Sequence, residues 1–252
     1  MRTSFGLGLI AVAGFAAVLL IRLPLSWATH LLPRSVSCEE PSGSLWNGQC
    51  RSLRLQRSAT APPLLLGATH WRLRPLALLR AQLAANVQVQ REGAQAEALV
   101  VLGLGGSIVL RGLQAQAPLD PTLMPGVPAN WRGLLQVRDG NLRWRNGELQ
   151  ALAGVVTARD LTAQGPRATQ YGSYELSFTP AVGGPELPPG QLRDLGGPLQ
   201  VDGTVQLTPA MAWELNGHVL ARADADAQLA RELQYLGSPD AQGRRAFSAR
   251  GE

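Results

Sequence analysis

Several residues in this sequence have types or spacings that chemistry uses. Residues 103–108, Gly-Leu-Gly-Gly-Ser-Ile, begin a dinucleotide fingerprint, whose glycines let a backbone approach a pyrophosphate. Ile108 stands where the third glycine belongs, and no helical period follows, so the fingerprint is not completed. His30, His70 and His218 lie far apart along the chain without a Gly-x-Ser-x-Gly elbow, so no base is set beside a nucleophile. Asp224 and Asp226 diverge if helical and cannot share a proton. They also lack the loop glycine and distal Glu of a calcium site. All 23 basic residues are Arg, which excludes a phosphate-loop lysine and a lysine Schiff base. Two Cys and three His are too few for a four-ligand zinc site without carboxylates. The expectation is a protein with no catalytic, cofactor-binding or metal-ligating residues.

Cys38 and Cys50 are a different matter. The segment between them holds Pro41, Gly43 and Asn47-Gly48, turn formers able to fold it back on itself. A disulfide there contributes about 3 kcal/mol in the chain-entropy treatment and persists only in an oxidising compartment. The alternative is two unpaired thiols acting as small apolar side chains. Ser35-Val36-Ser37 is a poor lipobox and lies well past the apolar run, so Cys38 is not read as a lipidation site.

Residues 5–21 carry no charge. As a helix, such a run spans roughly 25 Å, the short end of a bilayer core. Leu23 and Leu25 extend it if Arg22 snorkels, and Trp27 falls where an interfacial aromatic belongs. Ser26-Trp27-Ala28 also offers a small-x-small cleavage site, but the run exceeds a usual signal-peptide core. The reading is an uncleaved anchor over residues 1–25, with a cytoplasmic tail at 1–4. Arg2 against Arg22 and Arg34 leaves the positive-inside count near a tie. The short tail and the cysteines favour an N-terminus inside, with residues 26–252 in the periplasm.

The elements that must position everything else are strands. The chain has 252 residues, 45% of them apolar, with 28 Gly and 18 Pro, an excess of turn formers that excludes a helical bundle. The net charge is +5, but no Arg run exceeds two, which suits a soluble face and not a nucleic-acid groove. Leu53 and Leu55, Val87 and Val89, and Tyr174, Leu176 and Phe178 recur at period two. Over residues 135–155 two hairpin turns, Asp139-Gly140 and Asn146-Gly147, predict an antiparallel meander. Val201, Thr204, Val205 and Leu207 predict another strand after a long loop at 179–198. Pro75 opens a short helix carrying Leu76, Leu79 and Leu83, and a second runs over about 224–236. In the latter, Asp224 caps, Leu229, Leu233 and Leu236 form one stripe, and Gly237 ends it. Trp46, Trp144 and Trp213 each precede an Asn-Gly pair, which suggests similar hairpins side by side, their Trp packed on the sheet or offered to a partner. The expected fold is mainly β: an extended, curved antiparallel sheet with one or two short helices.

Three segments carry a family resemblance. Ser42-Gly43-Ser44-Leu45-Trp46-Asn47-Gly48 is similar to a Gly-Thr-Leu-Trp-Asn-Gly hallmark, and Trp71-Arg72-Leu73-Arg74-Pro75-Leu76-Ala77-Leu78-Leu79 to a Trp-x-Leu-x-Pro-x-x-Leu-Leu segment. Near the end, Leu236-Gly237 followed by Asp240-Ala241-Gln242-Gly243-Arg244 resembles a Leu-Gly…Asp-x-x-Gly-Arg close. With the N-terminal anchor, their order resembles the type II secretion system protein N family. The resemblance implies an inner-membrane accessory of the apparatus that exports folded proteins from the periplasm across the outer membrane of Gram-negative bacteria. It implies no catalytic residues or cofactor, and partners among the inner-membrane platform proteins or the outer-membrane secretin. Trp71 joins the candidate contact residues Trp46, Trp144 and Trp213. The cysteine pair is not a mark of that family. The Trp-then-Leu-Leu segment also resembles AsmA-like envelope proteins, which implies a lipid-holding sheet as the alternative.

Overall fold

The computed structural model describes residues 36–56, 64–119, 127–165, 168–180 and 187–251. The apolar run at 5–21 and His30 lie outside them. No helix among the described residues is long and apolar enough to cross a membrane. The chain divides into two units, residues 1–91 and 92–252. Both are built from antiparallel strands, as the period-two alternation predicts.

In the first unit, β1 (Val36–Glu39) and β2 (Ser42–Gly43) follow one another along the same neighbour, β3 (Asn47–Leu55). The break between them falls at Glu40 (φ 49°) and Pro41, which has no N–H to give the ladder. β4 (Leu64–Leu73) lies between β3 and β5 (Gln82–Arg91). Pro75–Arg80 is a 3-10 helix, closed by Ala81 at φ 53°. It begins at Pro75 as expected, but Leu83 belongs to β5, because the helix stops before a further turn can reach it.

In the second unit each strand pairs with the next. The series is β6 (Ala94–Gly103), β7 (Ser107–Pro118), β8 (Trp131–Arg145), β9 (Glu148–Ala163) and β10 (Thr169–Phe178). It continues through β11 (Gly190–Asp194), β12 (Leu199–Leu207), β13 (Trp213–Ala221) and β14 (Arg245–Gly251). The glycines of 103–106 form the β6–β7 turn, Gly105 and Gly106 at positive φ. Asn146-Gly147 is a two-residue turn with both φ positive, as its sequence predicts.

Four further expectations are corrected. Asp139-Gly140 is not a turn: β8 runs through it, and residues 139–140 bulge between the Arg138–Val155 and Asn141–Ala153 pairs. Asp139 does take the predicted positive φ, 52°, but Gly154 across the ladder leaves room for Gly140, so the strand bends without reversing. The 179–198 segment is not all loop, since it contains β11. Asn216-Gly217 lies inside β13 opposite Thr204 and Gly203, so the Trp-to-Asn-Gly spacing does not mark three similar hairpins. The helix is shorter than predicted, α1 (Ala227–Glu232) followed by a 3-10 turn at Leu233–Leu236, and its cap is Asp226, whose Oδ1 accepts from Gln228 N at 2.7 Å, and not Asp224.

The main buried cluster lies under α1. Leu229 (2% exposed) packs with Leu199, Val201 and Val219, and Tyr171, Tyr174, Leu192, Leu233 and Phe247 surround them. Leu229 and Leu233 thus keep their predicted inward stripe, while Leu236 remains exposed.

Candidate functional surface

The two N-terminal motifs interlock. Gly48 and Trp71 are direct partners across β3 and β4, and a Cβ on Gly48 would lie 2.4 Å from Trp71 Cζ2. The indole therefore occupies the space a larger residue would need. Its Nε1 donates to the Leu45 carbonyl at 3.1 Å, and Leu73 N donates to the Trp46 carbonyl at 2.8 Å. The Ser44 hydroxyl accepts from Asn47 N at 3.2 Å, holding the turn that delivers Trp46. The motif residues thus position one another, and Trp46 and Trp71 both stay half-buried.

The same device recurs. Trp213 faces Gly251 across β13 and β14, where a Cβ would lie 2.6 Å from its Nε1. Phe247 covers Gly217 at 2.9 Å, and Phe178 covers Gly190 at 2.6 Å. An aromatic ring laid over a cross-strand glycine restores the packing the glycine lacks. Trp144 faces Ile108 on β7 and Leu149 on β9. Sequence reasoning did not single out Trp131, which stacks on Tyr171 with ring centroids 4.9 Å apart. The two rings sit forty positions apart on different strands, so no local pattern announces them.

Cys38 and Cys50 are joined in the structure, their Cα atoms 5.6 Å apart, within the ordinary range for a bridged pair. Cys50 is buried at 3% exposure, behind the strand break at Glu40-Pro41.

A polar row crosses the second unit. Residues directly opposite in an antiparallel pair share a face. The direct partners Gln95, Gln116, Gln136, Thr157, Glu175, Arg193, Asp202 and His218 therefore form one line over β6 to β13. The adjacent line on the opposite face reads Ala96, Ala115, Val137, Val156, Leu176 and Leu192, and ends in Gly203, Gly217 and Phe247. At the centre of the polar row Glu175 is buried, accepting from Arg193 at 2.5 Å and from Arg138 at 3.4 Å. Thr157 beside it is 1% exposed, and among the described residues its hydroxyl has no partner. His218 Nδ1 stands 3.8 Å from Asp202, an exposed pair. These neighbours lie between 9 and 21 positions apart along the chain; each alternation is legible alone, their alignment is not.

On the apolar side, Asp194 binds Arg222 at 2.6 Å and accepts from the Val201 and Gly196 amides. Partial burial works against its charge, but these bonds prevail and hold its carboxyl below the usual range. Its direct partner Tyr174 donates to the Tyr171 carbonyl. Burial first, then the Asp194 charge, push the Tyr174 phenol up to about 12.

In the first unit, Asn47, His70, Trp71, Arg72, Asn86 and Gln88 are among the residues that line a hollow of about 390 Å³. Among the described residues no three His, Cys, Asp or Glu side chains gather as metal ligands.

These arrangements define an antiparallel sheet protein whose motif residues lock strand to strand. A family model described as type II secretion system (T2SS), protein N, matches residues 34–248, and the chain belongs to that family. All three motif segments lie inside the match. The chain is also 25% identical over 261 residues to the type II secretion system protein N of Vibrio cholerae serotype O1, with the whole of both chains covered. No solved structure matches it.

Proposed function

We propose that the chain is a non-enzymatic accessory of the type II secretion system. Residues 5–21 anchor it in the inner membrane, and residues 26–252 form a periplasmic body that contacts other platform proteins or the outer-membrane secretin. Membership of the family supports a place in this apparatus. The observation that carries an interaction role is β14: among the described residues its one strand neighbour is β13. An edge with unsatisfied amides and carbonyls is a template for an added strand. The bridged cysteines support an oxidising compartment.

Co-purification of the full chain from mild detergent tests the reading. Platform proteins or the secretin should accompany it; their repeated absence, under conditions that keep the other components together, overturns it. A reporter fused after Glu252 should be active in the periplasm, and cytoplasmic activity would reverse the topology.

A second reading is an envelope module that holds a lipid in a curved sheet. It is favoured by the line of Ala115, Val137, Val156 and Leu176, which is only half-buried. Native mass spectrometry would then show bound lipid, and clean apo protein would discard this alternative.

A further inference from the structure

The charge of the chain is unevenly divided. Residues 1–91 hold ten Arg and only two acidic side chains, Glu39 and Glu40, whereas residues 92–252 hold 13 Arg and 16 acidic side chains. Between Pro41 and Arg91 there are seven Arg and no Asp or Glu. The 3-10 helix Pro75–Arg80 lies within this stretch and buries none of its residues. Leu76 is 77% exposed and Leu79 84%. Side chains three apart eclipse in a 3-10 helix, so these two leucines share one ridge. Arg74 and Arg80 flank the ridge, both exposed.

We infer that this turn is a lipid-docking element: the leucine ridge enters the interface of an anionic bilayer while Arg74 and Arg80 meet its headgroups. Apolar side chains beside cations are the composition that binds such an interface, and affinity rises with anionic lipid. The inference rests on the reading of residues 5–21 as the anchor. Fourteen residues separate Ile21 from Val36. Fully extended they reach roughly 50 Å, so the first unit stays close to the membrane that holds it. Tethering at that range makes a contact of two leucines sufficient, because docking becomes intramolecular. An acidic protein surface is the competing occupant. The 14-residue tether, which keeps the turn within reach of a bilayer and gives a protein surface no such advantage, favours lipid.

Hydrogen exchange on the full chain in nanodiscs decides it. In discs of phosphatidylcholine with one third phosphatidylglycerol, amides of residues 76–81 should exchange about tenfold more slowly than in detergent micelles. High salt, or Arg74→Ala with Arg80→Ala, should remove most of the protection. Leu76→Ser with Leu79→Ser should remove all of it, leaving β4 and β5 exchange unchanged. Equal exchange in anionic discs and micelles overturns the docking. So does protection that appears only when another secretion protein is added, which would make the turn a protein seat. Alkaline extraction of the same chain from vesicles tests the anchor separately: a chain that resists extraction while the turn stays unprotected refutes the docking alone. A chain that is extracted refutes the anchor, and its exchange in anionic discs still decides the docking.

Discussion

Trp71 sits on Gly48 across the β3–β4 ladder so closely that a methyl group at Gly48 would lie 2.4 Å from the ring and 2.8 Å from the Ser44 carbonyl. Gly48→Ala must push against both the indole and the backbone of the preceding turn. The expected loss is about 1–3 kcal/mol, the range for overpacking a well-filled site. Trp71→Phe removes both the bond to the Leu45 carbonyl and the edge of the indole that covers Gly48, and should lose about 1–3 kcal/mol. Urea unfolding of the full chain measures both. If Gly48→Ala is neutral, the interlock is not what the motif is for.

That contact shows what was legible in the sequence. Both motifs are visible as strings, and each suggests a strand and a turn. Their meeting is not, because it depends on a register shared by residues 23 positions apart. Asp139-Gly140 illustrates the converse. Its local chemistry was read correctly, since Asp139 takes a positive φ, but two neighbouring strands held the chain in the ladder and made it a bulge. Asp224 and Asp226 are equally good caps on paper; Asp226 is the one used, and the helix it starts places Leu229 in the cluster of Val201 and Val219. Glu175 was invisible because its Arg partners lie on β8 and β11, remote in sequence.

The Cys38–Cys50 bridge closes a short loop, separated by 12 positions. Reduction should destabilise the first unit by about 3 kcal/mol. Protein recovered without reductant should resist alkylation at both positions, and reductant should lower the denaturant midpoint. Ready labelling of both thiols in native protein would remove the bridge from the account while leaving the topology to its own reporter.

Leu229 brings α1 onto the sheet, and the substitution Leu229→Ala should lose about 2–5 kcal/mol, since it opens a cavity between Val201 and Val219. Leu236→Ala, on the exposed end of the same stripe, should stay within about 0.5 kcal/mol. Similar losses at the two positions would mean that the helix is held by something other than this face.

Asp194 and Tyr174, direct partners on β11 and β10, should define the acid and alkaline limits of the second unit. The folded carboxyl of Asp194 is depressed, so its contribution is complete above its unfolded value, about 4, and is lost as pH falls through the folded one. Tyr174 behaves oppositely. Its folded phenol titrates at about 12, above the ordinary 10, so it stabilises below pH 10 and loses that contribution as pH rises toward 12. Denaturant midpoints across pH should show both limbs, the acid one flattened in Asp194→Asn and the alkaline one in Tyr174→Phe. The pair is also coupled. Asp194→Asn should lower the Tyr174 titration without returning it to 10, because burial is the larger cause. Arg222→Ala should raise it, since the guanidinium is the one charge that favours the phenolate. A Tyr174 titration indifferent to both substitutions would leave burial alone as its cause and separate the two limits.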